Sequence, residues 1–183
     1  MEALLVVDAQ NEFSPEGLRA VPNHASALET IRARVDRARE AHLPIAWMQH
    51  HNKPEESRAF VPGSWGAALS PGLALESGFG PEQLFVKEEF GAFTGTGLEV
   101  WLRSLGVSDL LSVGFFAHMC VSTSAREALV RGFGVSVDPD GTGARDLYDP
   151  IAGRQSADEV RRSALLHLTN MGVRLTRLHV MAE

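Results

Sequence analysis

Three residues in this sequence have side chains that together could break a covalent bond: Asp8, Lys87 and Cys120. Cys120 is the chain's only cysteine. It lies in Ser112-Val113-Gly114-Phe115-Phe116-Ala117-His118-Met119-Cys120-Val121, an apolar run that breaks at Gly114 and leads the thiol into the first turn of an expected helix. A thiol at a helix N-terminus sits at the positive end of the backbone dipole, which favours thiolate over thiol. The competing reading makes Cys120 a small buried hydrophobe. Taken singly, Asp8 reads as a turn residue or helix cap and Lys87 as a solvated strand end. Brought to one edge of a sheet, the three would supply a nucleophile, a proton carrier and a cation.

The elements around them suggest such an edge. Ala3–Val7 is a continuous apolar run of strand length, as in a strand covered on both faces, and Asp8 ends it. Apolar residues at Ala25, Leu28, Ile31, Val35 and Ala38 keep helical spacing until Pro44, after which 45–48 reads as a second strand. Leu84–Lys87 is a third strand, Leu110–Val113 a fourth, Val135–Val137 a fifth ended by Asp138-Pro139-Asp140-Gly141, and 173–176 a last one. Thr96-Gly97-Leu98-Glu99 and Ser156-Ala157-Asp158-Glu159 have the spacing of capping boxes that open helices. Gly106, Gly132 and Gly172 each stop a helix ahead of a short apolar strand. This alternation predicts an α/β fold of three layers, a six-stranded, mostly parallel sheet with helices on both faces, in a single domain over residues 1–183. Ligands of such sheets bind beyond the carboxyl ends of the strands, where Asp8, Lys87 and Cys120 fall. Residues 49–80 show no sustained period and read either as a lid or pocket wall or as a plain surface excursion.

Composition narrows the class. With 44% apolar and 22% charged residues and a net charge of −6, the chain reads as a soluble globular protein and not as a nucleic-acid binder. One cysteine allows neither an internal disulfide framework nor a cysteine-based zinc site. The start of the sequence has no basic leader and no apolar stretch long enough to span a bilayer, so the expected location is cytoplasmic, with no membrane partner.

The chain resembles the isochorismatase-like cysteine hydrolases, the group that includes nicotinamidases and N-carbamoylsarcosine amidohydrolases. The resemblance is carried by Leu4 to Phe13, by the Lys87 strand with Ala92-Phe93 and Gly95-Thr96-Gly97-Leu98, and by Gly114 through Cys120-Val121 with Ala125-Arg126-Glu127-Ala128. It implies a catalytic triad. Cys120 attacks a carbonyl carbon and forms a thioester-type intermediate, Asp8 relays the proton, and Lys87 holds Asp8 ionised. It also implies a cis peptide at Phe115–Phe116, with the backbone N–H groups of Phe116 and Cys120 forming an oxyanion hole. No cofactor is implied, and a homodimer or homotetramer is.

Departures from the family pattern narrow the expectation. Nicotinamidases carry an Asp-x-His metal motif after the second strand, whereas this chain has Gln49-His50-His51-Asn52, so no metal is expected. Ala117 stands where many members have threonine. Siderophore-type isochorismatases lack the nucleophilic cysteine, so Cys120 favours the amidase branch. Phe13, Trp65, Phe90 and Phe116, with His118, are the candidate substrate-binding residues; Phe93 and Phe13 could equally be core. Glu88 and Glu89 read as a solvated turn, and His24, His42, His167 and His179 as surface residues. The expected activity is hydrolysis of a C–N bond in a small amide, carbamoyl or lactam-type substrate. The alternatives are vinyl-ether hydrolysis of the isochorismatase type, or a non-catalytic binding protein that kept the fold.

Overall fold

The first apolar run forms strand β1 (Glu2–Val7), and its side chains divide between two cores as the period of an extended chain requires. In the computed structural model, which describes residues 1–53 and 55–178, Leu4 and Val6 pack with Leu28, Ile31 and Val35 of helix α1 (His24–Glu40). Ala3, Leu5 and Val7 face the opposite core, shared with Leu98 and Leu102 of α2 (Leu98–Ser104), Ala125 and Ala128 of α3 (Ser122–Val130), and Leu165 and Leu168 of α4 (Ala157–Asn170). Two buried faces explain why the run is apolar throughout. Each fully buried aliphatic side chain contributes roughly 1.5–3 kcal/mol.

The remaining strands are β2 (Ile45–His50), β3 (Glu82–Lys87), β4 (Asp109–Phe115), β5 (Gly134–Gly143), a short antiparallel hairpin β6 (Leu147–Asp149) and β7 (Gly153–Gln155), and β8 (Arg174–Leu175). The main sheet has six strands in the order β3-β2-β1-β4-β5-β8, all parallel. The chain builds outward from β1 to β3 and then returns to lay β4 on the other side of β1. The order therefore reverses between β1 and β4, and a crevice opens beyond their carboxyl ends. Among the described residues no helix is long and apolar enough to cross a membrane.

Several expectations need correction. The fifth strand does not stop at Asp138-Pro139; it runs to Gly143 through a register shift opposite Ser112–Gly114. An irregular ladder tolerates a proline, because no regular hydrogen bond is lost there. Ser156 and Glu159 do form a capping box, but Thr96 and Glu99 do not. The Thr96 hydroxyl donates back to the Ala92 carbonyl at 2.6 Å, and Glu99 pairs with Arg131 at 3.1 Å. His24 is buried against Phe115 and is not a surface residue; His42 and His167 are exposed, and His179 lies outside the described residues. The hairpin β6–β7 had no counterpart in the sequence reading.

Gln49 and His50 still belong to β2; the described residues from 51 to 80 are irregular, yet they are fastened to the turn that follows β1. Gln10 donates to the carbonyls of His50 (2.9 Å) and Ala67 (2.7 Å) and accepts from the His50 amide (2.9 Å). Asn11 donates to the Trp65 carbonyl at 2.9 Å. The buried Glu12 carboxylate accepts the amides of Leu18 (2.6 Å) and Phe60 (3.2 Å). What reads in sequence as a polar turn is a buried clamp on a pocket wall.

Candidate active site

Backbone geometry at the strand ends places the chemistry. Asp8 follows β1 directly with φ +50°, a left-handed conformation that aspartate tolerates better than most residues. Gly114 has φ +124° and lies opposite Val7 in the β1–β4 ladder; a Cβ there would overlap the Val7 carbonyl. Only glycine lets β4 approach β1 so closely and then turn. After Gly114 come the cis peptide Phe115–Phe116 and a single π turn over Ala117–Val121, in which the Phe116 carbonyl accepts the amides of Met119 and Val121, both at 3.1 Å. Cys120 therefore lies in a π turn ahead of α3 and not in the first turn of an α-helix. Insertions of this type recur at functional sites.

Asp8, Lys87 and Cys120 come together in one buried cluster. Asp8 is 0% and Lys87 2% exposed, and Lys87 Nζ lies 2.8 Å from Asp8 Oδ2. Asp8 Oδ1 is buried with no hydrogen-bond partner. Burial works against the Lys87 ammonium, but Asp8 and then Cys120 outweigh it and hold Lys87 above the usual lysine range. For Cys120 the balance goes the other way from the helix-dipole expectation. Burial first and the Asp8 carboxylate second push the thiol well up, and Lys87 only partly offsets them. These surroundings favour the neutral thiol over the thiolate.

Lys87 has three N–H groups and three acceptors: Asp8, the Glu89 carbonyl at 3.0 Å, and His50 Nδ1 at 3.3 Å. Because Nδ1 accepts from the ammonium, the proton of His50 sits on Nε2, which donates to Asn52 Oδ1 at 2.8 Å. Asn52 in turn donates to the Ala59 carbonyl at 3.1 Å. Burial and then the Lys87 charge lower the His50 pKa, which keeps the ring neutral. The relay is built from the Gln49–Asn52 run, where the resemblance to nicotinamidases would put a metal motif. Both imidazole nitrogens are engaged, one of them by a cation, and the neighbouring group is an amide, so the donor set does not suit a metal ion. Among the described residues no group of three or more His, Cys, Asp or Glu could hold one.

Above the cluster lies a cavity of about 290 Å³. Asp8 and Cys120 form its floor, and Phe13, Phe60, Phe90 and Phe116 supply aromatic walls. Phe13 stands 5.2 Å from Phe60 and 4.8 Å from Phe116, ring centre to ring centre. His50, Asn52, Met119, Ser57, Glu56, Arg19 and Arg145 complete the lining. Of the five candidate substrate-binding residues, Phe13, Phe90 and Phe116 line the cavity. Trp65 does not; it is 56% exposed and contributes only its carbonyl to the Asn11 clamp. His118 packs on Phe116 at 5.1 Å but faces a separate cleft with Ser122, Gln155 and His167. Phe93 belongs to the core, against Phe133, and Glu88 and Glu89 are exposed. The sequence reading missed Phe60, Met119, His50, Arg19 and Arg145. Met119 lies within the Gly114–Val121 motif and His50 in the Gln49–Asn52 run, neither with an expected place in the pocket; Phe60, Arg19 and Arg145 sit in no motif, and only folding of the irregular segments brings them to the cavity.

Comparison with known proteins agrees with this architecture. Residues 2–177 match the isochorismatase domain model, and the chain belongs to the isochorismatase family, a family of hydrolases. It is similar to a secreted isochorismatase effector of Verticillium dahliae, with 32% identity across 79% of this chain and 73% of the effector. It is also 30% identical to a nicotinamidase of Arabidopsis thaliana, across 89% of this chain and 88% of that protein. In structure it superposes on an isochorismatase from Pseudomonas putida KT2440 with a TM-score of 0.88 at 26% identity, covering 96% of this chain and 87% of the other.

Proposed function

We propose that this protein is a cysteine hydrolase that cleaves the C–N bond of a small amide, carbamoyl or lactam-type substrate through a covalent thioester. The observation that carries this reading is the buried Asp8–Lys87–Cys120 cluster on the floor of a cavity at the sheet's switch point. Similarity to a protein named as a nicotinamidase supports a C–N substrate.

In this mechanism the Cys120 thiol gives its proton to Asp8 as Sγ bonds to the carbonyl carbon, so thiolate develops only as it is consumed. The raised thiol pKa suits that order of events. The carbonyl oxygen takes up negative charge and is received by the backbone N–H groups of Phe116 and Cys120. Collapse breaks the C–N bond, and Asp8 returns the proton to the leaving nitrogen. Water then attacks the thioester carbon, Asp8 accepts a proton from it, and Cys120 leaves and regains its proton. Lys87 keeps Asp8 ionised between steps, and the His50–Asn52 relay keeps Lys87 aimed.

The test is ammonia release from a panel of small primary amides and ureides, with acid-quenched mass spectrometry of the Cys120 peptide. Wild type should turn over and carry an acyl adduct; Cys120→Ala should do neither. Turnover that survives Cys120→Ala sinks the covalent route and leaves vinyl-ether chemistry as the better reading. A thiol inert to alkylation with no turnover of any kind points to a binding protein.

Two further expectations stand as part of the proposal. A reducing, cytoplasmic setting suits a free buried thiol. Self-association to a dimer or tetramer suits the exposed Tyr148 and Ile151 on the β6–β7 hairpin, and light scattering reads it.

A further inference from the structure

We infer that the cavity selects an anionic substrate: a small amide or ureide with a carboxylate at the end remote from the scissile carbonyl, held by Arg19 and Arg145. The inference rests on the cysteine-hydrolase reading only for which end of the substrate meets the floor.

The charges around the cavity do not balance. Four charged side chains line it: Asp8, Glu56, Arg19 and Arg145. Asp8 is matched by Lys87. Glu56 is exposed, lies 3.8 Å from Lys53 Nζ and accepts the Lys53 amide. Among the described residues, Arg19 and Arg145 enter no ion pair. The nearby acids are engaged elsewhere. Glu16 accepts from the Ser14 hydroxyl at 3.0 Å, and Asp146 accepts the Ala157 amide at 2.8 Å.

Arg145 is the better built of the two. Its guanidinium lies 5.7 Å from the centre of the Phe116 ring, on the aromatic wall, and its Nε is buried with no hydrogen-bond partner. A buried donor without an acceptor is costly, and a guanidinium fork matches a carboxylate in shape as well as charge. The adjacent His118 does not compete for the anion, since burial and then the Arg145 charge lower its pKa and keep it neutral. A cavity of about 290 Å³ sits at the lower end of the ~300–1,000 Å³ range of small-molecule sites, which favours a compact ligand. Such a ligand would place its carbonyl on the floor, its body between the phenylalanines and its carboxylate against the arginines. An uncharged heterocyclic amide would leave both guanidinium groups unmatched, which separates this site from one built for nicotinamide.

The experiment measures thermal stabilisation of the full chain by succinamate, N-carbamoylglycine and benzoate at pH 7 and low salt, each against its uncharged methyl ester. At least one acid should raise Tm, and its ester should not. Affinity for that acid should fall roughly ten-fold or more in both Arg145→Gln and Arg19→Gln. Arg145→Lys, which keeps the charge and loses the fork, should fall between wild type and Arg145→Gln. The inference is overturned if no acid raises Tm, if acids and esters act alike, or if the shift survives both glutamine variants. Iodoacetamide labelling of Cys120 in the same samples separates the two readings. An inert thiol with intact acid binding removes the nucleophile and keeps the anion site, while a reactive thiol with no acid preference removes the anion site alone.

Discussion

Replacing Asp8 with Asn should make Cys120 more reactive and the enzyme inactive. The carboxylate is the second cause, after burial, of the raised thiol pKa, and it also partners the buried Lys87 ammonium at 2.8 Å. Asn keeps the shape and removes the charge. Two unit charges about 4 Å apart at an effective dielectric of about 20 interact by ~4 kcal/mol, or about 3 pK units. The Lys87 ammonium, freed from its partner, pulls the thiol pKa the same way. Taking 2 units as a conservative shift, the thiolate fraction at pH 7 rises ~100-fold; nucleophilicity falls with basicity at a Brønsted slope of about 0.5, leaving a net gain of roughly ten-fold in alkylation rate. The assay is the pseudo-first-order rate of iodoacetamide labelling of Cys120 across pH, read by mass spectrometry, with circular dichroism confirming that the variant is folded. Removing one partner of a buried pair costs about 3–5 kcal/mol, so a lower Tm is part of the expectation. Hydrolysis should be lost at the same time, because no group remains to carry the proton. A folded Asp8→Asn protein whose thiol labels no faster than wild type would refute the electrostatic account of the site.

Three other outcomes follow from the same geometry. Folding raises the thiol pKa above its unperturbed 9.0, so above that pH the unfolded chain gives up a proton that the native state retains. Stability should therefore fall by about 1.4 kcal/mol per pH unit on the alkaline side, and thermal melts should show this in wild type and much less in Cys120→Ala. Gly114→Ala should abolish folding or cost more than about 4 kcal/mol in a urea titration, because the added methyl meets the Val7 carbonyl at φ +124°. His50→Leu removes the third acceptor of Lys87 and swaps one side chain of the cavity lining, leaving Asp8 and Cys120 in place. It should lower kcat by roughly ten-fold or more with little change in KM, whereas His50→Gln, which still offers an acceptor, should recover part of the loss; equal losses in both would mean that His50 acts only through packing.

The strands were legible because their signal is local. A double-sided apolar run, a breaker and a helical period can be read within ten or fifteen residues, and β1, β2 and α1 were found that way. Elements whose limits depend on partners were misjudged. β5 continues past Pro139 because it bulges there, four of its residues (138–141) opposing Val113 alone, and the Thr96–Glu99 box fails because the Glu99 carboxylate pairs with Arg131 and does not reach back to Thr96. Trp65 and Phe60 illustrate the same difficulty in the irregular segment. Both are aromatic and both lie among Pro, Gly and Ser, but the Glu12 clamp turns Phe60 into the cavity wall and leaves Trp65 in solvent.

By itself the sequence determined the kinds of reactive group available and their position at the carboxyl ends of strands, since chain direction and strand length follow from local pattern. Tertiary structure decided everything that depends on what surrounds those groups. It decided that the surroundings of Cys120 favour the thiol, because burial and a neighbouring carboxylate outweigh a backbone dipole and a lysine. It made His50 a partner of Lys87, through the pairing of β2 with β3. It brought Arg19 and Arg145, far apart in the chain, to one cavity without an acid to match them. Desolvation and charge act through space, and their sign is set only once the chain has folded around the site.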